Sequence, residues 1–291
     1  MNIAQSLRDA AAALSATSDT PRLDAELLMA NALGISRSEL LLRHMEAAVP
    51  DAFQPLIARR LNYEPVAYIL GIHEFHGLEF LVNSDVLIPR GDSEVLVEVA
   101  LAAMRNDGAA AGPGARTVLD CGTGSGALLL AVLAGLPEAQ GVGIDRSLGA
   151  LTVAAANAAR LGLTARARLL RADWDAPGWA DALGQFDLII ANPPYVEAGA
   201  QLSPSVRSYE PAGALFAGSQ GLDAYRMLVP QLPDLLTANG VALLEIGSTQ
   251  TEAVSKIAQA SGFAVTLHHD LAGRPRVLEI KFSLGLSPTS A

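Results

Sequence analysis

The chain of 291 residues carries 30 acidic against 20 basic side chains, a net charge of −10, an apolar fraction of 51% and one cysteine, Cys121. This balance argues against stable binding to bare nucleic acid, which needs a basic surface to displace condensed counterions, and favours a small molecule or a protein as partner. A lone cysteine excludes an internal disulfide, no apolar run approaches bilayer length, and Met1-Asn-Ile-Ala-Gln-Ser6 lacks the features of a secretory signal, so a cytoplasmic protein with no membrane partner is expected.

The first stretch reads as short amphipathic helices. Leu7, Ala11 and Leu14 have helical spacing. Thr20-Pro21 reads as an N-cap followed by proline at the first helical position, with Gly34 as the stop. Ser36-Arg-Ser-Glu39 is a capping box opening a third helix, and 51–62 reads as a fourth. No strand signal precedes Tyr68, so residues 1–70 are expected to form a helical domain suited to substrate recognition. Aromatic and β-branched residues then flank Gly77, predicting a hairpin connector over 71–88. His73 and His76 lack partners at metal-ligand spacing, and no metal is expected.

A Gly/Ala/Pro-rich link at 108–114 leads into alternating strands and helices. Strands are predicted at 117–121, 141–145, 168–172, 186–191 and 241–246, with a closing pair at 263–268 and 277–282. Strand–helix alternation implies a mainly parallel sheet covered on both faces, and the short final connection implies one antiparallel strand near an edge. A single domain over 89–291 accommodates this pattern.

Four stretches carry chemistry. Gly122-Thr123-Gly124-Ser125-Gly126 follows the first strand of this domain, where the backbone must turn sharply and approach a ligand. Asp145 ends the next strand, where a carboxylate can accept ribose hydroxyls. This makes a nucleoside site, although Gly122 to Ala127 also satisfies the dinucleotide pattern. Asp173-Trp174 offers a carboxylate and an indole face for adenine. Then Phe186-Asp-Leu-Ile-Ile-Ala191 delivers Asn192-Pro193-Pro194-Tyr195 where a sheet should end. Two prolines hold the preceding amide in extended geometry, which makes a clamp for a planar NH2 group; a proline-rich strand cap is the structural alternative. Cys121 reads as a small apolar residue beside the glycine loop.

The sequence resembles the HemK/PrmC family of glutamine-N5 methyltransferases. The matching stretches are Tyr63-Glu-Pro-Val-Ala-Tyr-Ile-Leu-Gly71, Leu87-Ile-Pro-Arg-Gly-Asp-Ser-Glu94, Leu119 to Gly126, Asp173-Trp174, Asn192 to Tyr195 and Tyr209-Glu-Pro211. Asn-Pro-Pro-Tyr is shared with methyltransferases acting on adenine N6 and guanine N2, whereas the Ile-Pro-Arg segment is the more family-specific. The resemblance implies a Rossmann-like class I methyltransferase fold with a seven-stranded, mostly parallel sheet. It also implies S-adenosyl-L-methionine as cofactor, S-adenosyl-L-homocysteine as product, and a glutamine in the Gly-Gly-Gln motif of peptide chain release factors as substrate.

By position, the resemblance assigns Gly122, Thr123, Gly124, Ser125, Gly126, Asp145, Asp173, Trp174 and Asn192 to the cofactor. It assigns Asn192, Pro193, Pro194, Tyr195 and Arg90 to the substrate, with Asn192, Pro193 and Tyr195 doing the chemistry. Gly91 and Ser93 replace the usual proline and threonine, and Arg90 either positions substrate or pairs with Glu94. A monomer is expected. The competing targets are a ribosomal-protein glutamine, a nucleic-acid base amino group, and a catalytically silent binding module.

Overall fold

The computed structural model describes residues 2–106 and 116–283; the predicted Gly/Ala/Pro link at 108–114 lies outside the described residues. The chain divides into two compact units: Met1–His73 with Val82–Ser84 and Leu202–Glu210, and Glu74–Leu81 with Asp85–Gln201 and Pro211–Ala291.

The first unit contains α1 (Ile3–Leu14), α2 (Pro21–Leu33), α3 (Arg37–Arg43), α4 (Phe53–Leu61) and α5 (Val66–Leu70). Asn2 caps α1, its side chain accepting the Gln5 N–H at 3.0 Å. Ile3, Leu7, Ala10 and Leu14 form the buried stripe, so Ala10 rather than Ala11 carries the face. Pro21 opens α2 as expected, but the Thr20 hydroxyl donates to Asp24 Oδ1 (3.0 Å) instead of capping the backbone. Gly34 ends α2 at φ +67°, and Ser36 Oγ accepts the Glu39 N–H at 3.1 Å to start α3. Around Leu28, Met29, Leu40 and Phe53 the core is apolar, yet α2 also buries Asp24 and Glu26. Asp24 Oδ2 accepts from Arg60 Nε at 2.7 Å and from the Ser18 hydroxyl at 2.6 Å, while Arg22 and Arg37 flank Glu26. Those two arginines hold the Glu26 carboxyl below the usual range, against the opposing push of burial. Tyr68 lies in α5, within the span expected to be helical.

The hairpin pairs β1 (Ile72–Phe75) with β2 (Leu78–Leu81). His76 and Gly77 both have positive φ, +51° and +72°, as a two-residue primed turn requires. His76 Nε2 lies 2.6 Å from Glu98 Oε1. After a short 3-10 turn at Gly91–Ser93 come α6 (Glu94–Asn106), β3 (Thr117–Cys121), α7 (Ala127–Gly135), β4 (Gln140–Asp145), α8 (Leu148–Arg160), β5 (Ala167–Arg171) and β6 (Phe186–Ala191). The chain continues through α9 (Pro204–Tyr209), α10 (Asp223–Leu228), α11 (Leu232–Leu235), β7 (Leu236–Glu245), α12 (Thr251–Ala260), β8 (Phe263–His269) and β9 (Pro275–Phe282). Within the first unit, the Tyr209 hydroxyl bonds the Asn62 carbonyl at 2.8 Å and the Ser205 hydroxyl bonds the Tyr63 carbonyl at 2.7 Å.

Strands β3 to β9 form a seven-stranded sheet in the order β5-β4-β3-β6-β7-β9-β8. All neighbours from β5 through β7 are parallel, and β9 runs antiparallel to both β7 and β8. The single reversed strand thus sits one place in from the edge. Val118, Leu188, Ile190, Val241 and Leu243 point to one face beneath α6 and α7; Leu119, Ile144, Ile189 and Leu244 point to the other with α10 and α12. Burial on both faces explains why these strands read as continuous apolar runs. Strand β7 begins five residues before the predicted start at 241, because Leu236 pairs with Phe186 ahead of a register shift. The turn-like Thr-Ala-Asn-Gly sequence concealed that extension.

Candidate functional site

The loops following β3, β4, β5 and β6 all leave the carboxyl edge of the parallel strands, and together they line a cavity of about 380 Å³. This is where ligands of open α/β sheets bind, at a size suited to a small molecule. The lining includes Gly122, Thr123, Gly124, Ser125, Asp145, Asp173, Trp174, Asn192, Pro194, Ser93 and Arg90.

The glycine loop is shaped for close approach. Gly122, Gly124 and Gly126 have φ of +80°, +54° and +81°, a region that side-chain-bearing residues rarely adopt. A Cβ on Gly122 would come within 3.1 Å of the Trp174 ring, so the indole lies directly across the turn. The loop is tied to β4, where Asp145 Oδ2 accepts the Gly124 N–H at 3.0 Å and Oδ1 accepts the Ser147 N–H at 2.8 Å. Each oxygen keeps a further acceptor lone pair for a ligand hydroxyl. Trp174 is held by its carbonyl, which accepts from Gln231 Nε2 at 3.1 Å. The Thr123 hydroxyl turns away to donate to Asp120 Oδ2 at 2.7 Å. Asp120 itself is fully buried, and burial pushes its carboxyl up to about 7, partly offset by the Thr123 bond and reinforced by the Asp145 charge.

Asn192 stands at the end of β6, and its Nδ2 lies 3.4 Å from Ser93 Oγ. Glu245, the last residue of β7, is 1% exposed. The Tyr195 hydroxyl donates to Glu245 Oε1 at 3.4 Å. Burial beside Glu245 pushes that phenol up to about 12. Gln250 pins the main chain here, its Nε2 donating to the carbonyls of Tyr195 (3.2 Å) and Gly221 (3.0 Å). Arg90 lines the cavity and its charge is felt at Tyr195, while Glu94 accepts the His76 N–H at 3.0 Å.

Residues 5–71 match the family description "PrmC N-terminal domain" and residues 114–264 match "Methyltransferase domain". The release factor glutamine methyltransferase of Rhodospirillum rubrum is 41% identical over 89% of this chain and 78% of its own length. That of Moorella thermoacetica is 43% identical over 90% of this chain and 91% of its own. The chain belongs to the release factor glutamine methyltransferase family. At the level of fold alone it is similar to an O-methyltransferase family protein from Burkholderia thailandensis, with 14% identity, a TM-score of 0.51 and coverage of 92% of this chain and 96% of that one. The fold is that of a class I methyltransferase with a helical N-terminal region, as the sequence resemblance implied.

Within this family member, the expected cofactor residues other than Gly126 line one cavity with Asn192 and Pro194. Three expected site residues are placed differently, the first being Gly126, which caps α7 outside the lining. Pro193 is buried, and Tyr195 stands outside the cavity lining with its hydroxyl turned back to Glu245. The reason is local: a buried carboxylate behind the wall draws in the phenol. Sequence reasoning missed Glu245 and Asp120. The available signal was an acidic residue inside or ending an otherwise apolar strand, Val241-Ala-Leu-Leu-Glu245 and Val118-Leu-Asp120. Cys121 is buried in the sheet core, its thiol pushed well above the usual range by burial.

Proposed function

We propose that this protein transfers a methyl group from S-adenosyl-L-methionine to the side-chain amide nitrogen of the glutamine in the Gly-Gly-Gln motif of peptide chain release factors. The observation that carries this reading is the convergence of a glycine-loop nucleoside cradle and the Asn192 amide on one cavity, in a chain about 40% identical to release factor glutamine methyltransferases. The cradle fits the cofactor. The glycine turn leaves room for main-chain approach, Asp145 keeps acceptor capacity for ribose hydroxyls, and Trp174 with Asp173 suits adenine. The amino end of α7 opens at Gly126 with no side-chain cap, which favours the carboxylate of an amino-acid moiety. S-adenosyl-L-methionine supplies an electrophilic sulfonium methyl.

An amide nitrogen is a weak nucleophile because its lone pair is delocalised into the carbonyl. The chain's contribution is therefore orientation and charge. Asn192 Oδ1 accepts one N–H of the glutamine amide, fixing the face that its nitrogen presents. The same acceptor stabilises positive charge as it develops there, and binding both reactants in one cavity supplies proximity. The cavity lining includes no histidine, and the raised Tyr195 phenol stays protonated, so neither supplies a base at neutral pH. The proton leaves to solvent after transfer. Arg90 serves substrate positioning. The helical unit serves recognition of the protein substrate, a role supported by its inclusion of Leu202–Glu210, which follows the Asn192–Tyr195 wall in sequence.

The test is transfer of labelled methyl from cofactor to purified release factor, followed by mass mapping of the modified peptide. Methylation of the Gly-Gly-Gln glutamine is expected. Label appearing on RNA or a ribosomal protein, with the release factor unmodified, overturns the reading.

A further inference from the structure

Between β5 and β6 the chain runs through 172–185 without a helix or strand, and this stretch carries Asp173 and Trp174 into the cavity. Loops of that length without regular structure are uncommon in compact domains and usually serve function. The Ala172 N–H, donating to the Asp145 carbonyl at 3.1 Å, fastens its start. The main-chain bonds that follow stay within the loop. The Asp175 and Ala176 N–H groups fold onto Asp173, that of Asp181 onto Gly178 and that of Leu183 onto Ala180. Such local turns shape the loop but do not hold it against the domain. Among the described residues, the hydrogen bonds that join 173–185 to the rest of the chain both run to one side chain, Gln231.

Gln231 ends a 3-10 turn, Val229–Gln231, directly after α10. Its Oε1 accepts from the Trp179 indole N–H at 2.6 Å, and its Nε2 donates to the carbonyls of Trp174 (3.1 Å) and Met227 (2.6 Å). An indole nitrogen only donates and a carbonyl only accepts, so these three partners fix which way the amide points. A flipped amide would set its oxygen against two carbonyls and its NH2 against an N–H. Trp174 and Met227 both line the cavity, one from the loop and one from α10, so the glutamine ties two parts of the same wall.

We propose that Gln231 is a positioning residue that latches the 173–185 loop and thereby holds Trp174 as the cofactor wall, with Trp179 setting the orientation of the latch. The inference rests on the reading of Trp174 as the adenine wall given above. It assigns the two indoles of one loop to different tasks, Trp174 to the ligand and Trp179 to the latch.

The physical basis is preorganisation. A loop that is not latched has to be ordered when cofactor binds, and that ordering cost lowers affinity. Transfer from cofactor already bound is affected far less. Loss of the latch thus raises KM for cofactor more than it lowers kcat, whereas a lost fraction of folded protein lowers apparent kcat and leaves KM alone. The sequence contains two tryptophans, Trp174 and Trp179, which supplies a second readout. Trp179→Phe keeps an aromatic ring in place, removes the donor to Gln231 and leaves Trp174 as the sole indole fluorophore.

The experiment measures affinity for S-adenosyl-L-homocysteine by calorimetry, and steady-state kinetics on release factor, for the wild type, Gln231→Leu, Trp179→Phe, Trp174→Ala and the double variant of Gln231 and Trp174. Gln231→Leu should weaken binding about tenfold and raise KM for cofactor in step, with kcat changed by less than about twofold. Trp179→Phe should weaken binding about threefold, since the amide keeps its two donor bonds but loses the partner that orients it. In the Trp174→Ala background Gln231→Leu should add little. Combined with Trp179→Phe, it should move the Trp174 emission to longer wavelength as the ring meets more water. Trp179→Phe carries the test alone if Gln231→Leu does not fold. A wild type without affinity for S-adenosyl-L-homocysteine, or a Trp174→Ala that binds as tightly as the wild type, overturns the cofactor reading. With both of those in order, a Gln231→Leu that keeps its affinity, loses kcat rather than KM, or adds its full loss to that of Trp174→Ala overturns the latch itself.

Discussion

Gly122 lies against the outer edge of the Trp174 ring, so closely that a Cβ on the glycine would sit 3.1 Å from ring atom Cη2. Turn and indole are therefore one cofactor wall. Gly122→Ala adds a methyl group and strains a φ of +80°, a cost of about 1–2 kcal/mol before the indole moves. Cofactor affinity by calorimetry should fall by about tenfold or more. In a Trp174→Ala background the same substitution should cost less, because the clash is gone. Equal losses in both backgrounds would show that the contact does not matter.

Asn192→Ala should lower turnover by about a hundredfold or more, the usual consequence of losing one preorganised group aimed at developing charge. Cofactor affinity should fall far less. Asp145→Ala should do the opposite, weakening cofactor binding more than it slows turnover at saturation. Steady-state kinetics beside calorimetry separates the two. Near wild-type turnover by Asn192→Ala would remove the residue from the chemistry.

The chemistry on the cavity was legible because it is written in local signals. Glycines need positive φ at fixed spacing, and a carboxylate ends one apolar strand while an amide follows another. The order of elements was legible for the same reason, since alternating strands and helices admit few topologies. What the sequence hid was tertiary. Glu245 reads as an ordinary strand terminus until β7 brings it beside β6, and only then does Tyr195 turn from the expected clamp to a hydroxyl bonded behind the wall. The Asp24–Arg60 pair, 36 residues apart in sequence, is likewise invisible to periodicity.

That pair is a strong point of the helical unit. Arg60→Met leaves Asp24 buried with only the Ser18 and Thr20 hydroxyls, and should cost roughly 3 kcal/mol. Adding Asp24→Leu should recover much of the loss, since an apolar pair of similar volume leaves no charge uncompensated. Thermal melts of the single and double variants decide this. A double variant no more stable than Arg60→Met would mean that Asp24 is not the source of the cost.

Asn157 of α8 is fully buried and ties β2 to the glycine loop. Its Nδ2 donates to the carbonyls of Leu81 (3.0 Å) and Ser125 (2.8 Å), and its Oδ1 accepts the Leu81 N–H at 2.7 Å. Asn157→Asp keeps the shape but takes both donors away and faces two carbonyls with a carboxylate. The expected cost is roughly 2–4 kcal/mol, read as a lowered midpoint in denaturant. Cofactor affinity should fall as well, because the Ser125 carbonyl belongs to the loop that forms the cradle. A stable variant with an altered loop would instead separate anchoring from folding.

Asp120 gives the fold a pH dependence whose sign can be stated. Burial pushes its carboxyl up to about 7 in the native protein, from an ordinary value of 3.8. Between those values the native state keeps a proton that the unfolded chain has released. Stability therefore falls as pH rises across the window and is flat on either side of it. Glu245, also raised to about 7, contributes in the same sense. Asp120→Asn removes one of the two, and its new amide oxygen can still accept from the Thr123 hydroxyl. Melting temperatures at about pH 5 and about pH 8 should differ less in Asp120→Asn than in the wild type. An undiminished difference would mean that Asp120 is already ionised in the folded protein and that the neighbouring charge of Asp145 is tolerated across the glycine turn.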